Sequence, residues 1–333
     1  MPIAVPQIIT EDRASGAQVV EGSLKFVDGG KQHLEWTPGS DGNKKTFTLS
    51  GWFKRTASSR IVIMGVNNAI GSNEDGAEFD SDPVRFFSYV SSSFRFQLTS
   101  TRKFRDNTWY HIVFTLDTTQ GTASDRAKIY VNGELEEDLA TATYPSQNQD
   151  AGFWNSQSVP HRLGISYTSY PWEGFMSQLY FVDGQALDAS YFGYTDELTN
   201  TWRPKKFNIA DAPTVDWGTN GWYLPFDGSR PIGEDQSGRG NHWTPKVFGG
   251  SAQLSKATGA FPTLNTMGGG KVALPRARGT IGVAVTVAGK TGGGNAFYFD
   301  GVEAPTLNFA RGQTVTFDTS DSTVAKHPLR FSI

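Results

Sequence analysis

Residues 107–137, NTWYHIVFTLDTTQGTASDRAKIYVNGELEE, decide how the rest of this chain is read. Tyr110, Ile112, Phe114 and Leu116 put one apolar face on every second residue, and Trp109, His111, Val113 and Thr115 form a mixed opposite face. A period of two is the signature of a strand covered on at least one side. A polar turn over 117–125 follows, then the run AKIYV. That run ends at Asn132-Gly133, the dipeptide suited to the two left-handed positions of a type I′ hairpin. Residues 134–137 return as a polar partner, so the stretch predicts three consecutive strands.

Working outward, the same alternation recurs. Upstream are SLKFV from Ser23, HLEW from His33, the segment 46–53 in which Phe47, Leu49 and Gly51 alternate with Thr48, Ser50 and Trp52, and the apolar run 60–66. Residues 84–89 and 94–99 predict a strand pair turned by Val90-Ser91-Ser92-Ser93. Downstream come 161–167, a closing strand over 175–182, and one helical turn from Asp188, whose side chain can cap it. With 37 glycines, 16 prolines and 13% aromatic residues, many short strands are favoured over long helices. The expected class is all-β, a curved two-sheet sandwich with its sheets about 10 Å apart.

The motif W-Y-H-I-V-F-T-L-D with K-I-Y-V-N-G-E resembles laminin-G-like domains of the concanavalin-A-like lectin/glucanase superfamily. FTLSGWFKR at 47–55 resembles the family's early aromatic strand, and WEGFMSQLYFVDGQAL at 172–187 its closing strand. The resemblance implies a jelly-roll sandwich over 22–204. The tail DGQALDASYFGYTDELTNTWRPKKF, 183–207, is similar to that of virion proteins of tailed phages, which implies a place on the particle surface beside other virion proteins. DQSGRGNH at 235–242 resembles a family motif that usually lies near the domain start, displaced here.

The remaining organisation is read as follows. Residues 1–21, with a short strand at 7–10, form an arm, either an anchor onto a neighbouring subunit or a disordered terminus. Residues 205–265, rich in Gly, Pro, Asp and Trp, form a connecting segment whose one strand, 221–226, docks back on the sandwich. Residues 266–333 form a separate small β-sandwich-type unit, with MGGGK and KTGGGN as hinges and strands at 281–287, 296–300 and 314–318. The run from Tyr298 resembles a cupredoxin-like domain appended to phage structural proteins. Its sheet looks unfinished at Phe331-Ser332-Ile333, so a partner strand, and with it a homo-oligomer, is expected.

A net charge of -3 gives no basic field for nucleic acid. No apolar run approaches the roughly 20 residues of a membrane span, and the N-terminus lacks an export signal, so a soluble product without membrane insertion is expected. The sequence contains no cysteine, which removes disulfides, thiolate metal sites and a blue-copper site at His327. For a glucanase the resemblance implies a strand carrying Glu-x-Asp-x-(x)-Glu, whose nucleophile and acid/base project from one face about 5 Å apart. The nearest match is Glu78, Asp80 and Asp82, whose third position departs from that pattern, so the reading is a solvated acidic loop, with a calcium site as the minority alternative. No catalytic residue is assigned. Sugar recognition needs aromatic platforms and fixed polar donors, which Trp154, Asn155, Tyr167, Tyr170 and Trp172 on loops supply as a candidate glycan site. The expected function is a non-enzymatic virion structural protein, with a host-glycan adhesin and a glucanase as rivals.

Overall fold

Alternation along 110–117 produces a strand whose Ile112, Phe114 and Leu116 are wholly buried in the main core, while Val113 enters a second apolar cluster on the other side. The computed structural model describes residues 20, 22–26, 31–67, 73–197, 200–205, 207, 216–226, 231–248, 280–290, 293–299, 302–303, 314–327 and 329. In chain order the strands are β1 (Leu24–Phe26), β2 (His33–Trp36), β3 (Thr46–Arg55), β4 (Ile61–Val66), β5 (Asn73–Phe79), β6 (Val84–Val90) and β7 (Ser93–Ser100). They continue with β8 (Tyr110–Asp117), β9 (Ala127–Val131), β10 (Glu134–Leu135), β11 (Leu139–Thr143), β12 (His161–Leu163) and β13 (Gly174–Asp183). Beyond these lie β14 (Gly193–Asp196), β15 (Thr201–Pro204), β16 (Trp222–Leu224) and β17 (Thr244–Lys246). The strands β18 (Thr280–Gly289), β19 (Asn295–Phe299), β20 (Val302–Glu303) and β21 (Thr314–Asp318) complete the set.

Two sheets form a jelly-roll sandwich. One has the order β1-β13-β3-β8-β9-β10 with β16 also on β13, the other the order β11-β7-β6-β5-β4-β12-β2-β17. Asn132 and Gly133 make the two-residue turn between β9 and β10 with φ of 49° and 89°, as the hairpin requires. The inner faces meet in one aromatic-rich core containing Phe47, Phe53, Phe86 and Phe114, with ring centroids 5.4 Å apart for Phe86 and Phe114.

Two readings are corrected here. Asp80 and Asp82 lie in a partly exposed turn, but Glu78, read with them as a solvated loop, belongs to the interior strand β5, paired on both sides by β4 and β6. Its Ala77 and Phe79 join the core, and its carboxylates are answered from neighbouring strands. The polar, proline-broken stretch between Leu139 and His161, whose sequence reads as one long loop, opens instead with the strand β11, which extends the sheet beside β7.

The core continues past Pro204. Trp222, Leu224, Phe226, Ile232 and Trp243 belong to it, and β16 pairs with β13 while β17 pairs with β2. Asp235 holds this return in place: its carboxylate accepts from the backbone N–H of Tyr223, Ser237 and Asn241 and from the Ser237 hydroxyl. The DQSGRGNH motif is therefore a turn knotted on one buried carboxylate. On the outer face of the seven-stranded sheet lies the second cluster, Val113, Tyr180, Val182, Leu187, Ala189, Phe192 and Trp217. The 3-10 turn Ala189–Tyr191 is capped by Asp188, which accepts from Ser190 N–H at 2.8 Å, and the β14–β15 hairpin follows it.

The C-terminal strands form a four-stranded sheet, β20-β19-β18-β21, in which β18 and β21 are parallel. Val285, Val287, Phe299 and Val324 make a small core of their own. The N-terminal strand expected at 7–10, the MGGGK hinge and the final residues 330–333 lie outside the described residues. Among the described residues no helix is long and apolar enough to cross a membrane.

Candidate glycan-contacting face

The outer face of the eight-stranded sheet is assembled from residues that alternate with the core. Glu78 on β5, Arg85 on β6 and Arg60 just before β4 meet there. The Glu78 carboxylate accepts from Arg60 Nε and Nη2 at 3.0–3.1 Å and from Arg85 Nε at 2.7 Å, and Glu78 is 0% exposed. Burial pushes the Glu78 carboxyl above its ordinary value, and the two guanidiniums pull it back. With both oxygens engaged and no exposed surface, it cannot reach a glycosidic bond.

The partners that a glucanase would need do not line up with it. β5 ends at Phe79 and Ser81 takes φ 62°, so the extended alternation stops. Asp80 turns to Arg85 and Asp82 to Arg55, both at 3.3 Å. Glu74 accepts from the Ser166 hydroxyl, and buried Asp75 accepts from the backbone N–H of Phe153 and Trp154. Burial raises the Asp75 carboxyl to about 6. The carboxylates offered for calcium are thus spent on protein donors, and among the described residues no group of three or more His, Asp or Glu side chains could hold a metal.

Five residues were expected to form a sugar platform on loops, and the structure separates them. Trp154 is 0% exposed, stacked in the core on Phe181 at 6.4 Å and against Phe47 at 5.2 Å. Trp172 is buried between Phe53 and Phe79. Asn155 is also wholly buried. Its carboxamide donates to Asp183 at 2.7 Å and to the Asn43 carbonyl at 2.9 Å, and its N–H to His161 Nε2. As a surface platform these three are corrected: a side chain with no exposure cannot stack on a ligand from solvent. For Trp154 and Asn155 the loop position misled because the 144–160 loop folds inward, where Asp75 accepts from the backbone N–H of Phe153 and Trp154.

Tyr167 and Tyr170 are brought together on the surface. They sit on one tight turn closed by the Ser166–Ser169 bridge, with φ of 52° and 55° and exposures of 38% and 42%. The Arg60 guanidinium lies 4.0 Å from the Tyr170 ring centroid and Arg162 lies 5.5 Å from that of Tyr167, so each ring is seated on a cation. Arg162 is itself fixed by Glu35 at 2.9 Å and by the Asn67 carbonyl at 3.0 Å. Beneath the turn Gly65 leaves room for the backbone of Ile165 and Ser166. Farther along the same face Arg85 covers Phe87, and Phe94, 40% exposed, packs against Phe87 and Tyr89. These arginine seats and Phe94 were missed in the sequence: nothing local links Arg60 to a ring 110 residues away, and the nearer pairs Arg162–Tyr167 and Arg85–Phe87 carry no motif that marks them.

Comparison with known proteins follows this geometry. A family model described as the concanavalin A-like lectin/glucanases superfamily, of laminin-G type, matches residues 28–190. No curated protein sequence matches the chain. Among solved structures, the native heptameric SAP-like pentraxin of Limulus polyphemus is 16% identical over 50% of this chain and 76% of its own, with a TM-score of 0.36. The LG4-5 domains of the mouse laminin alpha1 chain are 12% identical over 52% of this chain and 44% of theirs, with a TM-score of 0.37. The CBM40 of the Ruminococcus gnavus IT-sialidase is 13% identical over 50% of this chain and 92% of its own, with a TM-score of 0.38. Residues 28–190 of this chain are a laminin-G-type domain of the concanavalin A-like lectin/glucanase superfamily.

Proposed function

We propose that this chain is a non-enzymatic surface protein of a phage virion, whose sandwich contacts host-surface glycans through the tyrosine turn at 166–170. The observation that carries the glycan contact is the pair of exposed rings, three residues apart, each held from behind by an anchored guanidinium. An aromatic ring fixed in this way offers the apolar face of a pyranose a surface that loses little freedom on binding. Neutralisation of Glu78 by two arginines supports binding over hydrolysis. The virion assignment is supported by the 183–207 tail, and assembly with virion proteins and with further copies of this chain belongs to the same reading.

Two measurements test it. On a glycan array, the wild-type protein is expected to bind a defined set of glycans, and a Tyr167→Asn, Tyr170→Asn variant is expected to lose that set. Asparagine tolerates the left-handed backbone while removing the ring. Equal binding by both proteins defeats the tyrosine turn. An antibody to residues 22–204 is expected to decorate purified particles, and bare particles defeat the virion assignment while leaving the glycan reading in place.

A further inference from the structure

The opposite face of the sandwich carries a cavity of about 500 Å³, between the ends of β3, β8 and β9 on one side and the β14–β15 hairpin on the other. Its volume falls within the roughly 300–1,000 Å³ usual for small-molecule sites. Three indoles line it, from three separate stretches of chain: Trp109 and Trp202 are half-buried and can face a ligand, and Trp52, 3% exposed, backs them.

Rigid supports stand behind the indoles. Trp52 and Trp202 both pack on buried His111, with ring centroids 5.1 and 5.9 Å away. Trp202 Nε1–H donates to His111 Nδ1 at 3.1 Å, which leaves the other ring nitrogen to donate to Ser50 Oγ at 3.0 Å. Burial lowers the His111 pKa to about 3, so this ring stays neutral in that tautomer. Trp109 is braced by the Lys54 ammonium, 5.5 Å from its ring, and by Phe175 at 6.3 Å. Gly133 allows Trp202 to lie directly on the β9–β10 turn, where any Cβ would overlap the indole.

The rest of the wall is polar and close to neutral. Arg102 lines the cavity, but its Nε donates to the buried Glu136 carboxylate at 2.6 Å, so its charge is balanced from within the protein. Glu134 adds a negative group at the wall. Asn132 already accepts from His111 N–H through its side-chain oxygen, which leaves its NH2 as the end that can meet a ligand. Thr195 and Thr201 bring hydroxyl groups from the hairpin. Aromatic walls combined with amide and hydroxyl groups, one compensated cation and one carboxylate suit an uncharged ring that carries several hydroxyls. They disfavour an anion, because among the described lining residues it would meet Glu134 while Arg102 is already paired with Glu136, and Lys54, 3% exposed behind the Trp109 ring, is not part of the wall.

We infer that this cavity is a second binding site, specific for a neutral sugar residue and selective against acidic sugars. It stands on its own geometry, on the sheet opposite the tyrosine turn, so either site can fail without the other. The test uses the full chain carrying Tyr167→Asn and Tyr170→Asn, which silences the first face, labelled with ¹⁵N and titrated with neutral disaccharides (lactose, maltose, cellobiose and chitobiose) and with a uronic-acid disaccharide. At least one neutral disaccharide is expected to shift the indole N–H signals of Trp109 and Trp202, and the acidic one to leave them in place. Thr195→Val with Thr201→Val removes the two hydroxyls at nearly constant volume and is expected to weaken that binding about tenfold while the remaining indole signals stay at their folded positions. Indole signals unmoved by all four neutral sugars, an acidic sugar that moves them as strongly, or unchanged affinity in the threonine variant would each overturn the assignment.

Discussion

The two outer faces of this sandwich solve the same problem differently. On the eight-stranded sheet, polar side chains stay and neutralise one another: Arg60, Glu78 and Arg85 form one knot, Glu35 and Arg162 another, and aromatic rings rest on the guanidiniums. On the seven-stranded sheet an apolar cluster stands among polar side chains, and later chain covers it. The Asp188-capped turn, Phe192, Trp202 and Trp217 lie over Val113, Tyr180 and Val182. The first face needs only the laminin-G strands. The second is completed by the 183–207 segment, so one fold presents a rigid open surface on one side and a walled cavity on the other.

That contrast can be broken at its strongest point first. Replacing Glu78 with Ala leaves two partly buried guanidiniums without their shared carboxylate, and a loss of about 3–5 kcal/mol in denaturant unfolding is expected. A loss under about 1 kcal/mol would mean the knot is screened as an exposed pair is. On the opposite face, Gly133→Ala places a Cβ in the left-handed region and against Trp202. It is expected to cost about 2 kcal/mol, with the Trp202 indole signal shifting and the tyrosine turn unaffected.

The smallest effect is one of pH. His111 at about 3 and His161 at about 4 both lie below the ordinary imidazole value of 6.5 because burial disfavours their charged forms. Between those values and 6.5 the unfolded chain binds protons that the folded chain does not. Their contribution is therefore complete above pH 6.5 and is lost as the pH falls through that window. Asp75, raised to about 6, acts in the opposite sense, since from pH 3.8 to 6 the folded chain holds a proton that the unfolded chain has released. A net fall of roughly 1 kcal/mol from pH 6.5 to 5.5 is expected in urea midpoints. The fall should be shallower in His111→Gln and steeper in Asp75→Asn, and a stability that rises on acidification contradicts both histidine assignments.

Much of the strand framework was legible because its signal is local. The alternation at 110–117, the Asn132-Gly133 turn and the Asp188 cap each lie within a few residues of what they form. What stayed hidden depends on distant partners. The β5 carboxylates look like a loop until Arg60 and Arg85 stand beside them, and Trp154 looks exposed until Asp75, 79 positions earlier, accepts its N–H at 2.8 Å. For the same reason only the two tyrosines of the expected platform reach solvent, and the three-indole cavity drew no attention, since Trp52, Trp109 and Trp202 share no motif.

The strand β13 has three neighbours: β3 along most of its length, β1 beside Gly174–Met176 and β16 beside Leu179–Phe181. Its free edge is therefore sealed in two instalments, by one segment that precedes the sandwich strands and another that follows them. A recombinant fragment cut at Pro204 would bare the second half of that edge along with the core pockets of Trp222 and Leu224, and unpaired backbone of this kind recruits other chains. Any truncation meant to isolate the sandwich should run through Phe248, where β17 and the Asp235 knot are already in place.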